Sequence, residues 1–226
     1  MKSITKILAL LVLVFVFTNS YAQKKAKTWS GYVKYEITYE GDMDPQTRAM
    51  SPNEMTQYFM DSKVRMEILT PMANQYIITD GNDSLTIILI DGMGQKLAIK
   101  SEKEDNAEAM KDVTKSKVDF LNETKEIAGI TCTKVEVTFP ATEDSDKQIV
   151  TAYYAEGLNV GNINWSGQFS EVPGILMEYS MENQGFTMNY KAVEVKKQKL
   201  KATMFQVPAD YRLLTKEEAQ QMFGGM

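Results

Sequence analysis

The stretch that decides the fold is Gly31–Tyr39, GYVKYEITY. Its side chains alternate in character, with Val33, Tyr35, Ile37 and Tyr39 in one set and Lys34, Glu36 and Thr38 in the other. This period of two is typical of a β-strand with one face against a core and one face against water. The stretch therefore predicts a half-buried strand.

The same pattern recurs along the chain in runs separated by short turns. Further strands are predicted at residues 55–60, 64–69, 75–80, 84–91, 95–100, 118–125, 131–139, 147–155, 175–181, 186–196 and 202–207. Helices are predicted at 105–115 and from the capping box Thr215-Lys216-Glu217-Glu218 to about Met222. Short turns join antiparallel neighbours, so we expect a mainly β (α+β) fold with one large sheet, curled or partly closed.

The first 22 residues predict export. Lys2 and Lys6 precede the apolar run Ile7–Phe17, and small residues at Ser20 and Ala22 suit a signal peptidase. The apolar run is shorter than the roughly 18 residues that a membrane-spanning helix needs. We expect residues 1–22 to be a cleaved signal peptide. Residues 23–226 then form a single domain in the periplasm or outside the cell.

Composition excludes several classes of function. Residues 23–226 contain 23 basic and 30 acidic residues, a net charge of −7, which disfavours nucleic-acid partners. The chain has no histidine, which removes the usual general base and the commonest transition-metal ligand. We therefore expect no enzyme activity, no metal and no cofactor. The single cysteine, Cys132, lies in a strand-like stretch and is expected to be buried.

Methionine is abundant on the predicted strands. Residues 23–226 contain 14 methionines, several of them beside tyrosines. Methionine is flexible and polarisable, so it suits a surface that accepts variable apolar shapes such as acyl chains. A methionine-rich core explains the same pattern, and the residues alone favour that interpretation.

Six segments, taken in order, resemble a family of secreted proteins of Gram-negative envelopes related to the LolA/LolB lipoprotein-localisation superfamily. They are KVRME at 63–67, IDGMGQK at 90–96, EIAGITCTK at 126–134, YYAEGL at 153–158, PGILMEY at 173–179 and FQVPADY at 205–211. The resemblance covers about Gly31 to Met222. It implies a half-open, strongly curved antiparallel sheet, an incomplete barrel with helices at its mouth and an apolar concave face that receives lipid.

From this resemblance we expect an exported, non-enzymatic carrier or chaperone for lipid or lipoprotein acyl chains. The expected cavity lining, assumed to share one face of the sheet, is Met66, Ile68, Tyr76, Ile78, Ile87, Leu89, Met177, Tyr179, Met188 and Tyr190. The alternative is an envelope protein–protein interaction module with a filled core and no lipid ligand. Such a module would bind through exposed strand edges or the loop around Trp165. Peripheral contact with a membrane or an envelope protein is expected in either case.

Overall fold

The computed structural model describes residues 28–110, 116–141, 147–183 and 185–223. The predicted signal peptide, residues 1–22, lies outside this range. Twelve strands are present: β1 Ser30–Gly41, β2 Glu54–Met60, β3 Lys63–Leu69, β4 Ala73–Asp80, β5 Leu85–Gly92, β6 Gln95–Ser101, β7 Lys117–Ile127, β8 Ile130–Phe139, β9 Gln148–Ala155, β10 Ile175–Asn183, β11 Phe186–Lys197 and β12 Arg212–Leu213. The helices are α1 Pro45–Met50, α2 Lys103–Ala109 and α3 Lys216–Phe223. The mainly β prediction is confirmed.

All twelve strands form one open sheet in the order β12-β6-β5-β4-β3-β2-β1-β11-β10-β9-β8-β7. Strands β1 to β6 follow one another as an antiparallel meander, and so do β7 to β11. The two meanders join where β1 pairs with β11. Only the short β12 is parallel to its neighbour, β6.

Two predicted elements differ from the structure, and the sequence did not predict α1 or β12. The segment predicted as a strand at 202–207 contains a 3₁₀ turn, Ala202–Phe205, because it crosses the sheet instead of lying along an edge. Its backbone is satisfied locally, with the Met204 N–H donating to the Lys201 carbonyl. Helix α2 ends at Ala109, and residues 111–115 of the predicted helix lie outside the described residues. Helix α1 was not predicted; Asp44 caps it and Pro45 begins it.

The register defines two faces of the sheet, since directly opposed residues in an antiparallel pair project to the same side. We call the front face the one that carries Tyr35, Met55 and Met66, and the back face the one that carries Tyr58 and Arg65. Each face has its own hydrophobic cluster, so the molecule buries apolar side chains on both sides of one sheet.

The front cluster is covered by the connection between β9 and β10, residues 156–174, which we call the plug. Four plug residues are buried in this cluster: Val160, Ile163, Phe169 and Val172. Phe169 packs edge-on against Tyr179, with ring centroids 5.5 Å apart. The plug therefore supplies core to the strands near the β1–β11 junction.

The far end of the plug is held against two turns of the other meander. A Cβ atom on Gly81 would lie 1.7 Å from the Asn162 carbonyl oxygen, so only glycine allows this approach. Gly161 has a φ of +70°, and a Cβ there would lie 2.5 Å from Ser62 Oγ. The Trp29 N–H also donates to the Asn159 carbonyl at 2.6 Å. These contacts fix where the plug ends on the front face.

The back cluster is covered by residues 198–211, which we call the strap. Leu200 and Phe205 of the strap are buried against Ile78, Ile87 and Leu89. The Arg65 guanidinium donates to the Met204 carbonyl at 3.0 Å and lies over the Tyr76 ring. The strap thus covers the back of β3 to β6. Within the described residues, no helix is both long enough and apolar enough to cross a membrane.

Candidate functional site

The front face of β3 to β6 lies beyond the plug and remains partly open. Two ladders of opposed residues cross these strands, Met66–Ile77–Ile88–Ile99 and Ile68–Gln75–Ile90–Leu97. We call its half-buried apolar members the open shelf: Met66, Ile68, Ile77, Ile88, Ile90 and Ile99.

The shelf differs from the rest of the apolar surface in what covers it. Met66 and Ile68 touch the edge of the front cluster, whereas Ile77, Ile88, Ile90 and Ile99 belong to neither cluster. Among the described residues, neither the plug nor the strap is packed with these four isoleucines. A row of branched apolar side chains that the described part of the chain leaves partly exposed is a candidate site for an apolar ligand.

A cleft of about 840 Å³ adjoins the outer end of the shelf. Ile99 lines the cleft together with Ala109 at the end of α2, Leu214 just before α3 and Ala219 within α3. This volume lies within the roughly 300–1,000 Å³ of typical small-molecule sites. The cleft therefore continues the shelf into a partly enclosed space between two helices.

Helices α2 and α3 are positioned by specific polar contacts. The Asn106 amide of α2 donates to the carbonyls of Ser84 and Ser101, which ties α2 to the ends of β5 and β6. The predicted capping box of α3 is confirmed: the Glu218 N–H donates to Thr215 Oγ1, and the Thr215 N–H donates to the Glu218 carboxylate.

An ion pair joins the two helices across the cleft. The Lys216 ammonium donates to the Asp105 carboxylate, and this hydrogen bond lowers the pKa of Asp105 and raises the pKa of Lys216. Lys216 is exposed and water screens the pair, so it orients the cleft walls without closing them rigidly.

The ten residues predicted to line a cavity do not share one face, and that expectation is wrong. Met66 and Ile68 lie on the open shelf. Tyr76, Ile78, Ile87 and Leu89 project to the back face, where the strap covers them. The cause is register: Met66 opposes Ile77, not Ile78, so the apolar run of β4 was assigned to the wrong side.

The other four predicted residues are on the front face near the plug. Met177 and Tyr179 are buried within the front cluster, and Met188 and Tyr190 lie half-buried at its edge. Tyr179 and Tyr190 stack with centroids 4.7 Å apart, and burial raises the pKa of Tyr190 to about 12. These four side chains therefore form the core and its margin. The front-face positions predicted for Tyr76, Ile78, Ile87 and Leu89 are occupied instead by Ile77, Ile88, Ile90 and Ile99.

Cys132 has the environment expected of a structural residue. Its side chain is buried, as predicted, and burial raises the pKa of the thiol to about 11. Thiols react as thiolates, so this one is held in its unreactive form at neutral pH. Within the described ranges, no group of three or more histidine, cysteine, aspartate or glutamate residues is arranged to bind a metal ion.

Comparisons with known proteins identify a fold and no family. No protein-family model and no curated protein matches the chain. Among solved structures, "Structure of PNGF-II in C2 space group" aligns with a TM-score of 0.50 and 13% identity. The alignment covers 82% of this chain and 30% of that chain, so this protein spans less than a third of its structural neighbour. At this level of identity, the similarity supports a shared β architecture alone.

Proposed function

We propose that the protein is an exported, non-enzymatic binding protein that carries an acyl chain of a lipid or lipoprotein on the open shelf. In this proposal the open sheet is a LolA/LolB-like incomplete barrel, and its place of work is the periplasm or the cell exterior. One observation supports it above the others: Ile77, Ile88, Ile90 and Ile99 form an apolar surface that belongs to neither hydrophobic cluster.

The physical chemistry of the shelf suits a long acyl chain. Burying a methylene group contributes about 0.8 kcal/mol, so a chain of many methylenes can bind without polar contacts. The ladder Met66–Ile77–Ile88–Ile99 crosses four strands in a straight line and ends in the cleft between α2 and α3. A linear ligand would follow this path, with its polar end at the charged mouth near Lys216.

The test is native mass spectrometry of the full chain exported to a bacterial periplasm, combined with uptake of a fluorescent fatty acid. We expect a co-purified acyl species, and we expect Ile88→Asn to lower fatty-acid affinity at least about tenfold, because a polar amide replaces the shelf centre. Ile149→Asn is the matched control, since Ile149 is 61% exposed on β9, far from the shelf. A clean apo mass together with no uptake, or equal losses in both variants, would refute the proposal.

A second candidate function, an envelope interaction module without a lipid ligand, is supported by the plug. The plug fills the front face near β1 and β11, so four of the ten expected lining residues belong to the core or its margin. Trp165, which was expected to be a contact residue, is half-buried in the plug. Exposed apolar side chains such as Phe120, on the edge strand β7, remain available to a protein. Crosslinking in the periplasm that captures one protein through β7, with no acyl species bound, would favour this function.

A further inference from the structure

Four exposed apolar side chains lie at the same end of the sheet. Leu69 and Met72 are at the β3–β4 turn and are 58% and 51% exposed. Met93 at the β5–β6 turn is 84% exposed, and Met50 in α1, between β1 and β2, is 42% exposed. In an antiparallel meander, alternate turns lie at the same end, so these connections are neighbours. We call this set the rim.

Two of the three connections in the rim, the β3–β4 turn and the β5–β6 turn, are in direct contact. A Cβ atom on Gly92 would lie 3.0 Å from the Met72 carbonyl oxygen, so the backbones that bear Met72 and Met93 approach closely. Thr70 rigidifies its turn: its hydroxyl donates to the Ala73 carbonyl and accepts from the Ala73 N–H. The exposure of Met72 is therefore fixed by a hydrogen-bonded turn.

Met93 is exposed and has a backbone conformation that methionine rarely adopts. Its φ is +52° and that of Gly94 is +74°, the left-handed pair of a tight hairpin turn. Asparagine or glycine adopts this conformation with less strain than an unbranched apolar residue does. The sequence therefore places a long apolar side chain at a turn tip at a cost to the backbone, which points to a role for the side chain itself.

The exposed apolar side chains of the rim suit one kind of contact. We propose that the rim inserts into the surface of an uncharged lipid bilayer. Single flexible side chains on separate turn tips suit a fluid apolar phase, whereas a folded partner would require a continuous complementary patch. The rim does not present free cations to anionic lipids at β6: Lys96 is paired with Asp210 at 2.8 Å and lies 3.6 Å from Asp91. At α1 the one cation, Arg48, lies over the Tyr39 ring, and Asp42 and Asp44 are exposed beside it, so this part of the rim carries no net positive charge for anionic lipids.

This inference does not depend on acyl-chain binding, although the two fit together. The shelf residues Ile68 and Ile90 are nearer to the rim than Ile88 is, since they lie closer to the β3–β4 and β5–β6 turns. A bilayer in contact with the rim would be next to the shelf entrance. The rim is tested with intact vesicles and the shelf with soluble fatty acid, so failure of one is distinguishable from failure of the other.

The experiment is flotation of the mature chain with phosphatidylcholine vesicles, with and without phosphatidylglycerol. We expect the wild type to float with neutral vesicles, Met93→Asn to lower the partition coefficient about tenfold, and the triple change Leu69→Ser, Met72→Ser, Met93→Asn to abolish binding. Ile149→Ser, a change of a side chain 61% exposed on β9, should bind like the wild type. Met93→Asn should keep or raise the melting temperature, because asparagine relieves the turn.

Three outcomes would overturn the proposal. The first is no flotation of the wild type with neutral vesicles. The second is flotation that requires phosphatidylglycerol, which would indicate an electrostatic surface. The third is equal binding by the wild type and the triple variant. Sedimentation of the same proteins without lipid tests the rival occupant: a dimer that the triple variant loses would show that the rim binds a second copy of the chain.

Discussion

The front face of this sheet has two halves that differ in what covers them. Near the β1–β11 junction, residues such as Tyr35 and Met177 are fully buried beneath the plug. On β4 to β6, isoleucines of the same face are half-buried and belong to neither cluster. Both halves have apolar side chains on regular strands, so composition alone does not separate core from surface. The difference comes from the plug, a 19-residue connection whose tip contacts Gly81 and Ser62.

This comparison shows that a loop can decide which part of a sheet is available for binding. The plug reaches the β2–β3 and β4–β5 turns, and no described plug residue shares a hydrophobic cluster with the front-face isoleucines of β4 to β6. Its end point therefore sets the inner boundary of the open shelf. Three predictions sharpen or break the distinction between the plugged and the open half.

The largest effect is expected from matched isoleucine truncations in the two halves. Ile163→Ala in the plug removes a side chain that is 8% exposed and should lower the free energy of unfolding by about 2–5 kcal/mol, because it leaves a cavity. Ile88→Ala on the shelf should cost about 1–2 kcal/mol, since water already reaches the side chain. Urea unfolding monitored by tryptophan fluorescence measures both. Equal costs would mean that the shelf is part of a closed core.

An intermediate effect is expected from two ion pairs, one beside the tip of the plug and one across the cleft. Asp80, 2% exposed beside the plug tip, accepts from the Lys63 ammonium and from the Asn82 N–H. Asp80→Ala should cost about 1–3 kcal/mol, because it removes a buried acceptor and leaves the Lys63 ammonium and the Asn82 N–H without this partner. Lys216→Ala, which breaks the exposed pair across the cleft and leaves the Asp105 cap of α2 in place, should change stability little. Thermal and urea unfolding compare the two, and a larger loss for Lys216→Ala would contradict the assignment of α2 and α3 as loosely joined walls.

The third prediction concerns folding stability in alkali. It has no effect at neutral pH, and it should arise from the plugged half. Burial raises the pKa of Cys132 to about 11 and of Tyr190 to about 12, and it raises the pKa values of Tyr35 and Tyr179. In the unfolded chain these groups ionise near their ordinary values of about 8.5 and 10. The native state then holds more protons, so stability is fully present below about pH 8.5 and falls as pH rises to about 12.

Urea unfolding at pH 8 and at pH 11 measures this loss, and tyrosine absorbance near 295 nm reports ionisation. Tyr190→Phe should reduce the loss, because phenylalanine has no proton to release and the Tyr190 hydroxyl makes only a weak contact with Met188 sulfur, at 3.7 Å. The shelf contributes nothing, since methionine and isoleucine do not titrate. A free energy of unfolding that is equal at pH 8 and pH 11 would contradict the burial of these groups.

Local pattern predicted the elements well. The alternation of Gly31–Tyr39 corresponds to β1, Ser30–Gly41, and the capping box at Thr215 begins α3 as expected. Helix α1 escaped prediction because none of its residues is buried, so no apolar period marks it. Its only signals are the cap Asp44 and the proline that follows.

Pattern did not predict which face each strand presents. Strand β4 has Tyr76, Ile77 and Ile78 in succession and β5 has apolar residues from Ile87 to Ile90, so both sides of each strand are apolar. Only the pairing of Met66 with Ile77 assigns the sides, and turn geometry fixes that pairing. The plug was read as a connection because its apolar residues, such as Val160 and Phe169, have no regular spacing. Four of the ten predicted lining residues were therefore placed on the wrong face, while nearly all of the strands were found.

The strand order has a consequence for how fast the chain can fold. Apart from β1–β11 and β6–β12, every pair of neighbouring strands is consecutive in sequence. The longest connection between consecutive paired strands is the 19-residue plug, whereas β1–β11 must bring Gly41 to Phe186 and Gly31 to Lys197. Closing a short loop is faster and costs less entropy than closing a long one. The hairpins of each meander can form independently, but the front cluster contains residues from both meanders. Folding time should therefore be governed by this single seam, and mutations along β1 should slow refolding more than equally destabilising mutations in β5 or β6.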